Sequence, residues 1–269
     1  RRHGIPNVQL RVNYRSNEEI MNFTSILGIY EELIAAPSNA SFTLEGDINR
    51  IKVKWVQEVL DPKKVIGVII HDRNYEIGVS SLEAELVVQL VISYYNMCNI
   101  KDEKEETEFW LEKLGVVAPH NAQGRLIIRR IFDKMTKSEG RISHLKNSFL
   151  MKLINNTVYS VEKFQGSDRE LIISSIGLSD KDQLNAESEF IYNLNRFNVL
   201  TSRAKAKIIL ITSKQYLEFI PMDRKIIEQS AHIRKFAMSF CNIEQPLKVL
   251  NEKHEYEKLI FRYRIIKNY

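Results

Sequence analysis

Apolar residues recur with a helical period from Asn17 to Leu33, at Ile20, Phe23, Ile26, Leu27 and Tyr30, and Ser16 or Asn17 stands where a cap belongs. After a loop carrying Pro37 and Gly46, Arg50–Val56 and Val65–His71 read as strands. Ser81–Met97 reads as a long helix with Glu83 and Glu85 in its first turns, followed by the acidic run Lys101–Glu108. Leu114–Ala118 is a short apolar strand stopped by Pro119, and helical spacing returns over Gln123–Met135 at Leu126, Ile127, Ile131 and Met135. Phe149–Ile154 is apolar without a period that assigns it. Val158–Val161, Leu171–Ile176 and Ile208–Ile211 are β-type runs, with a helix fitting from about Glu187 to Ala204. Strands alternating with helices predict an α/β fold with a mainly parallel sheet covered on both faces.

From Lys214 to Tyr269 the strand pattern fades, with Tyr216, Leu217, Ile220, Ile226, Ile227, Ile233 and Phe236 in helical or irregular spacing. The expectation is one main domain over 1–213 and a largely helical C-terminal extension over 214–269. The closing KLIFRYRIIKNY interleaves basic and aromatic residues, which suits stacking on bases or docking of an amphipathic segment on its own domain.

Composition narrows the classes. The chain has 269 residues, 44% hydrophobic and 27% charged, and no run approaches the roughly 18 apolar residues of a membrane span. Cys98 and Cys241 are the two cysteines, in no metal or disulfide spacing, and the six histidines form no HxxxH or HxxE arrangement, so no metal site is expected. A net charge of +5 tilts toward a polyanionic partner. The opening RRHGIPNVQLRVNYRS has no signal-peptide or transit-peptide pattern and reads as part of a longer, intracellular polypeptide, cytoplasmic or, in a eukaryote, nuclear.

Three segments carry residues suited to phosphate chemistry. In QGSDRE, Gly166 lets backbone approach a phosphate and Asp168 can accept from a ribose hydroxyl, where carboxyl ends of strands are expected to face a cleft; alone, the segment fits a tight turn better. Arg203 in TSRAK is flanked by Ser202 and Ala204 and is free to reach outward, and a guanidinium pairs bidentately with phosphate oxygens. Arg15 in NYRS stands at a strand-to-helix junction, where a surface ion pair is the simpler reading.

Together, in order and spacing, NYRSNEEI, VEKFQGSDRELIISS and NRFNVLTSRAK resemble motifs IV, V and VI of superfamily 1 helicases, over roughly Leu10–Thr212. APHNAQ, Ala118 to Gln123, loosely matches the TPYxxQ element of the branch that holds the nonsense-decay RNA helicase and the replication nuclease-helicase. Leu200 stands in place of the usual alanine, Ser202 in place of threonine, and Ala118 and His120 in place of the threonine and tyrosine.

The resemblance implies a second RecA-like motor domain. It implies Arg15 and Arg203 as γ-phosphate contacts, Arg203 as the arginine finger, and Gly166, Asp168, Gln165 and Arg196 on the nucleotide side. Pro119, His120, Asn121 and Ser160 would lie along a single strand of DNA or RNA. No GxxxxGK[ST] occurs, so this chain alone is expected not to hydrolyse ATP; the ATP and its Mg2+ would be held with an upstream first motor domain. The competing expectations are a helicase-derived binding module without turnover and an unrelated α/β small-molecule enzyme.

Overall fold

The computed structural model describes residues 11–26, 33–73, 79–137, 142–160, 168–250 and 255–267. In chain order, β1 (Val12–Asn13), α1 (Glu18–Ile26) and β2 (Ile34–Ala35) lead through a 3₁₀ turn at Ile48–Arg50 to α2 (Lys54–Leu60) and β3 (Ile66–His71). Then come α3 (Ser81–Met97), α4 (Glu103–Glu108), a π-helical turn at Phe109–Lys113, β4 (Leu114–Val117), α5 (Asn121–Lys137), α6 (Asn147–Asn155) and β5 (Val158–Tyr159). The chain continues through β6 (Arg169–Ser175), α7 (Lys181–Ala186), α8 (Ser188–Ile191), α9 (Leu194–Ser202), β7 (Ala204–Ser213), α10 (Lys214–Glu218) and α11 (Arg224–Lys235). A second π-helical turn at Phe236–Phe240 precedes β8 (Ile243–Leu250) and β9 (Tyr256–Arg264).

Seven strands form one sheet in the order β5-β4-β6-β7-β3-β9-β8; its first five strands are mutually parallel and β9 joins β3 antiparallel. Successive side chains of a strand point to opposite faces, so a strand buried on both sides reads as unbroken apolar sequence. In β7, Ile209 and Ile211 enter a core with Trp55, Leu86, Val91, Ile127 and Leu150, while Ile208 and Leu210 enter a second core with Phe23, Phe197 and Phe236. The first is built by α2, α3, α5 and α6, and the second by α1, α9, α11 and the π turn after it.

Several elements depart from the sequence reading. Arg50–Val56 is not a strand: Trp55, Val56, Val59 and Leu60 share one buried helical face, and that spacing outweighs the alternation Ile51, Val53, Trp55. The helix foreseen over Glu187–Ala204 is broken, because Asn193 caps a new helix by accepting from the Arg196 N–H and Arg203 ends it one residue before β7. Phe149–Ile154 lies in α6. The acidic run forms α4, and its Glu106 is buried, accepting from Ser143 Oγ at 2.7 Å and the His144 N–H at 2.7 Å.

Beyond Phe240 the helical expectation fails: β8 and β9 form a hairpin that extends the main sheet. Its inner residues Leu247, Val249, Leu259, Phe261 and Tyr263 alternate with exposed ones, a period-2 pattern that the basic residues and Pro246 conceal. Gly67 in β3 lets the Phe261 ring cross closely, since a Cβ there would lie 2.5 Å from its Cε2. Both cysteines are free; burial pushes the Cys98 thiol up to about 12. Among the described residues no helix is long and apolar enough to cross a membrane.

Candidate functional site

Asn13 shapes the turn that presents Arg15. Its side-chain oxygen accepts the N–H groups of Arg15 at 2.6 Å and Ser16 at 3.1 Å, and the Asn39 amide donates to the Tyr14 carbonyl. The turn is fastened to the start of β7, which runs four residues past the point where β3 begins to pair with it. Buried carbonyls need donors, and here Ser16 Oγ donates to Ala204 O at 2.6 Å, the Asn17 N–H to Lys205 O at 3.0 Å and the Asn17 amide to Ala206 O at 2.8 Å. Ser16 and Asn17 are fully buried.

Arg203 ends α9 and its carbonyl accepts the Arg169 N–H at 3.1 Å, which sets it beside Asp168 at the start of β6. The two guanidiniums then meet on one carboxylate. Arg15 Nε stands 2.6 Å from Asp168 Oδ2 and Arg203 Nη1 stands 3.5 Å from Oδ1, while Arg15 Nη1 donates to Ser202 O at 3.3 Å. All three side chains keep some exposure, between 21% and 32%, so the cluster is open to a ligand. A cavity of about 580 Å³ adjoins it, lined by Asn13, Tyr14, Arg15, Asn39, Phe42, Asp168 and Lys205 among others. Among the described residues Arg203 does not line that cavity. Arg203 Nε is buried without a hydrogen-bond partner, a donor that an anion entering the cluster would satisfy.

This arrangement corrects two expectations. Asp168 is the counter-ion of both arginines, an arrangement the sequence did not reveal, while its Oδ1 accepts no hydrogen bond among the described residues. The cluster also sits at the amino ends of β6 and β7, since Asp168 and Arg203 immediately precede those strands, whereas a carboxyl-end cleft was foreseen. Arg196 is not part of it: the guanidinium lies over the Phe190 ring at 3.8 Å and donates to Phe190 O at 3.2 Å. Gln165 and Gly166 lie outside the described residues. Arg169 turns inward and donates to Leu114 O and Asp168 O.

The opposite edge of the sheet holds the other predicted residues. Pro119, His120 and Asn121 follow β4, and Ser160 follows β5. His120, Asn121 and Ser160 line a groove of about 270 Å³ together with Gly124, Arg125, Asn155, Asn156 and Tyr159; Pro119 is not in its lining. His120 Nε2 lies 3.2 Å from Glu187 Oε2, and its ring is 6.0 Å from Phe190, which links the groove to Arg196.

Between the two ends of this edge lies a buried polar network. Glu83, fully buried in α3, accepts from Ser175 Oγ at 2.7 Å and the Gly177 N–H at 2.9 Å, with His71 Nε2 at 3.0 Å. Gln123 accepts the Ser80 N–H at 2.8 Å and donates to Ser80 O and Ser175 Oγ. These bonds tie α3 and α5 to the carboxyl ends of β3 and β6. Asn13, Tyr14, Asn17 and Asn39 were missed as site residues, although Asn13, Tyr14 and Asn17 flank Arg15 within the NYRSN stretch. Tyr14, 76% exposed at the cavity beside Arg15, offers an aromatic face at the mouth.

A family described as an AAA domain (AAA_12) matches residues 1–215. The DNA replication ATP-dependent helicase/nuclease JHS1 of Arabidopsis thaliana is 24% identical over 222 residues, 79% of this chain and 14% of that protein. The DNA replication ATP-dependent helicase/nuclease DNA2 of Mus musculus is 27% identical over 235 residues, covering 80% and 19%. The uncharacterized ATP-dependent helicase MJ0104 of Methanocaldococcus jannaschii is 27% identical over 216 residues, covering 78% and 27%. The chain thus spans between 14% and 27% of the length of these relatives.

Proposed function

The chain belongs to the AAA domain family typical of the second motor domain of superfamily 1 helicases, and from that premise we propose that it serves as this domain in an ATP-dependent DNA or RNA helicase or translocase. The observation that carries the reading is the meeting of Arg15 and Arg203, far apart in sequence, on Asp168 at the amino edge of the sheet. Two guanidiniums held side by side in a partly exposed cluster suit the terminal phosphate of a nucleotide, which offers the negative charge that Asp168 otherwise supplies.

In this reading Arg203 is the arginine finger and Arg15 orients the same phosphate, with Asn13 and Asn17 fixing the turn from which it reaches. Asp168 keeps both cations paired and aimed when no phosphate lies between them. ATP supplies the transferable phosphoryl group, and its Mg2+ and inner phosphates are assigned to a first motor domain, because this chain contains no GxxxxGK[ST] loop. The groove behind His120, Asn121 and Ser160, at the carboxyl edge, is assigned to the backbone of a single strand. Hydrolysis at one edge and strand contact at the other fit a domain that moves as a rigid body between them.

Arg203→Ala in the full-length protein tests the assignment. ATP turnover is expected to fall by about a thousandfold or more. Turnover within about threefold of wild type, a change under about 1 kcal/mol of barrier, would remove Arg203 from the chemistry.

A further inference from the structure

The family match ends at residue 215, and the β8–β9 hairpin lies wholly beyond it. One face of this hairpin is buried in the core; the other is partly bare. At its Ile243–Tyr263 end that second face is covered by the π turn, where Arg262 donates to Ala237 O and Cys241 O. Toward the tip the cover stops, and Lys248, Lys258, Tyr256, Leu250 and Ile260 are exposed, Tyr256 to 74%.

Pairing makes the exposed face specific. Lys248 stands directly across from Lys258, between the apolar pairs Leu250–Tyr256 and Pro246–Ile260. Like charges directly opposite are unfavourable in a sheet, by about 0.2–1 kcal/mol. The charged pair further along this face, Glu244–Arg262, is opposite in sign, and Glu257 of the inner face is paired with Arg73, so among the described residues the two like-charged lysines stand out within their own hairpin.

The register also fixes where the exposed residues of β9 lie. Ile70 of β3 pairs with Ile260, so Lys258 and Tyr256 extend past the carboxyl end of β3. That is the edge on which the His120–Ser160 groove opens, four strand positions away at β4, about 19 Å at the usual strand spacing.

We infer that the exposed lysine–tyrosine face of the β8–β9 hairpin is a second single-stranded nucleic-acid contact, extending the track from the groove across the carboxyl edge of the sheet. The lysines meet successive phosphates and Tyr256 stacks on a base. The inference rests on the reading of the carboxyl edge as the nucleic-acid side. Position on that edge, and an aromatic face next to paired cations, favour a nucleic acid over an acidic protein segment.

The test measures binding of fluorescent 20-nucleotide oligo(dT) and oligo(rU) to the full-length protein across a salt series. Lys248→Ala/Lys258→Ala is expected to weaken binding about tenfold and to lower the slope of log affinity against log salt by about 1.4, about 0.7 for each lost phosphate contact. Tyr256→Ala is expected to weaken it at least about fivefold. The melting temperature of the double-lysine variant should stay level or rise, which separates lost contact from lost folding. If wild type binds and Asn121→Ala/Ser160→Ala loses affinity while the hairpin variants match wild type, the hairpin inference alone is overturned. Should wild type bind neither oligonucleotide, the carboxyl-edge reading falls first. Hairpin-dependent binding of a poly-glutamate peptide with unchanged oligonucleotide affinity would assign the face to an acidic protein instead and overturn the inference.

Discussion

Lys207 is fully buried in β7, its ammonium donating to the carbonyls of Asp61 and Lys64. Burial, the largest influence on it, pushes its pKa from 10.5 down to about 7. The folded chain therefore holds this proton less tightly than the unfolded chain, and between pH 7 and 10.5 unfolding takes up a proton. Stability contributed by this site must then rise with pH across that window. Urea midpoints of wild type are expected to gain on those of Lys207→Met from pH 7 toward about pH 10; parallel curves would show that the two carbonyls keep the amine charged in the fold. Asp168 carries a different lesson at the same scale. QGSDRE drew attention to Asp168, but its two partners could not be read from it, because only the fold brings Arg15 and Arg203 to its two oxygens. Arg196 matched a motif position too, and the fold stacks its guanidinium on Phe190, six residues earlier.

Elements were legible where one periodicity ran unopposed. Ser81–Met97 and β3 follow the pattern closely, since eleven positions of that helix are buried and the strand is buried throughout. Where two patterns competed, tertiary burial decided: Trp55, Val56, Val59 and Leu60 make α2 helical, and the β8–β9 hairpin was hidden by the lysines and arginines that alternate with its core residues. The turn between β1 and α1 could be foreseen as a helix start but not as the clamp on β7, because no local signal says that β7 outruns β3. Asn17→Ala would orphan the carbonyls of Phe42 and Ala206 and remove the acceptor of the Ile20 N–H. A loss of about 3 kcal/mol is expected from denaturant unfolding, with ATP turnover of the full-length protein falling as Arg15 loses its anchor. Stability unchanged within about 0.5 kcal/mol would mean that water replaces the clamp at no cost.

Across the whole molecule, the parallel sheet separates two candidate sites by the length of its strands. Arg15, Asp168 and Arg203 gather at the amino ends of β6 and β7, while His120, Asn121, Ser160 and, from the hairpin, Tyr256 and Lys258 stand at the carboxyl edge. The network of Glu83, His71, Ser175 and Gln123 braces the carboxyl ends of β3 and β6 and thus the frame between them. The α/β class and the parallel sheet followed from alternating elements, whereas the opposition of the two edges depended on strand boundaries, which set Asp168 and Arg203 just before β6 and β7 and His120 and Ser160 just after β4 and β5. The central claim is that two distant arginines act as one phosphate-binding unit. A double-mutant cycle on nucleic-acid-stimulated ATP turnover of the full-length protein, with Arg15→Ala, Arg203→Ala and both, tests it most directly. The expected result is a large loss for each single change and little further loss for the pair, because residues acting as a unit are non-additive. Strictly multiplicative losses, or single variants within about threefold of wild type, would contradict it.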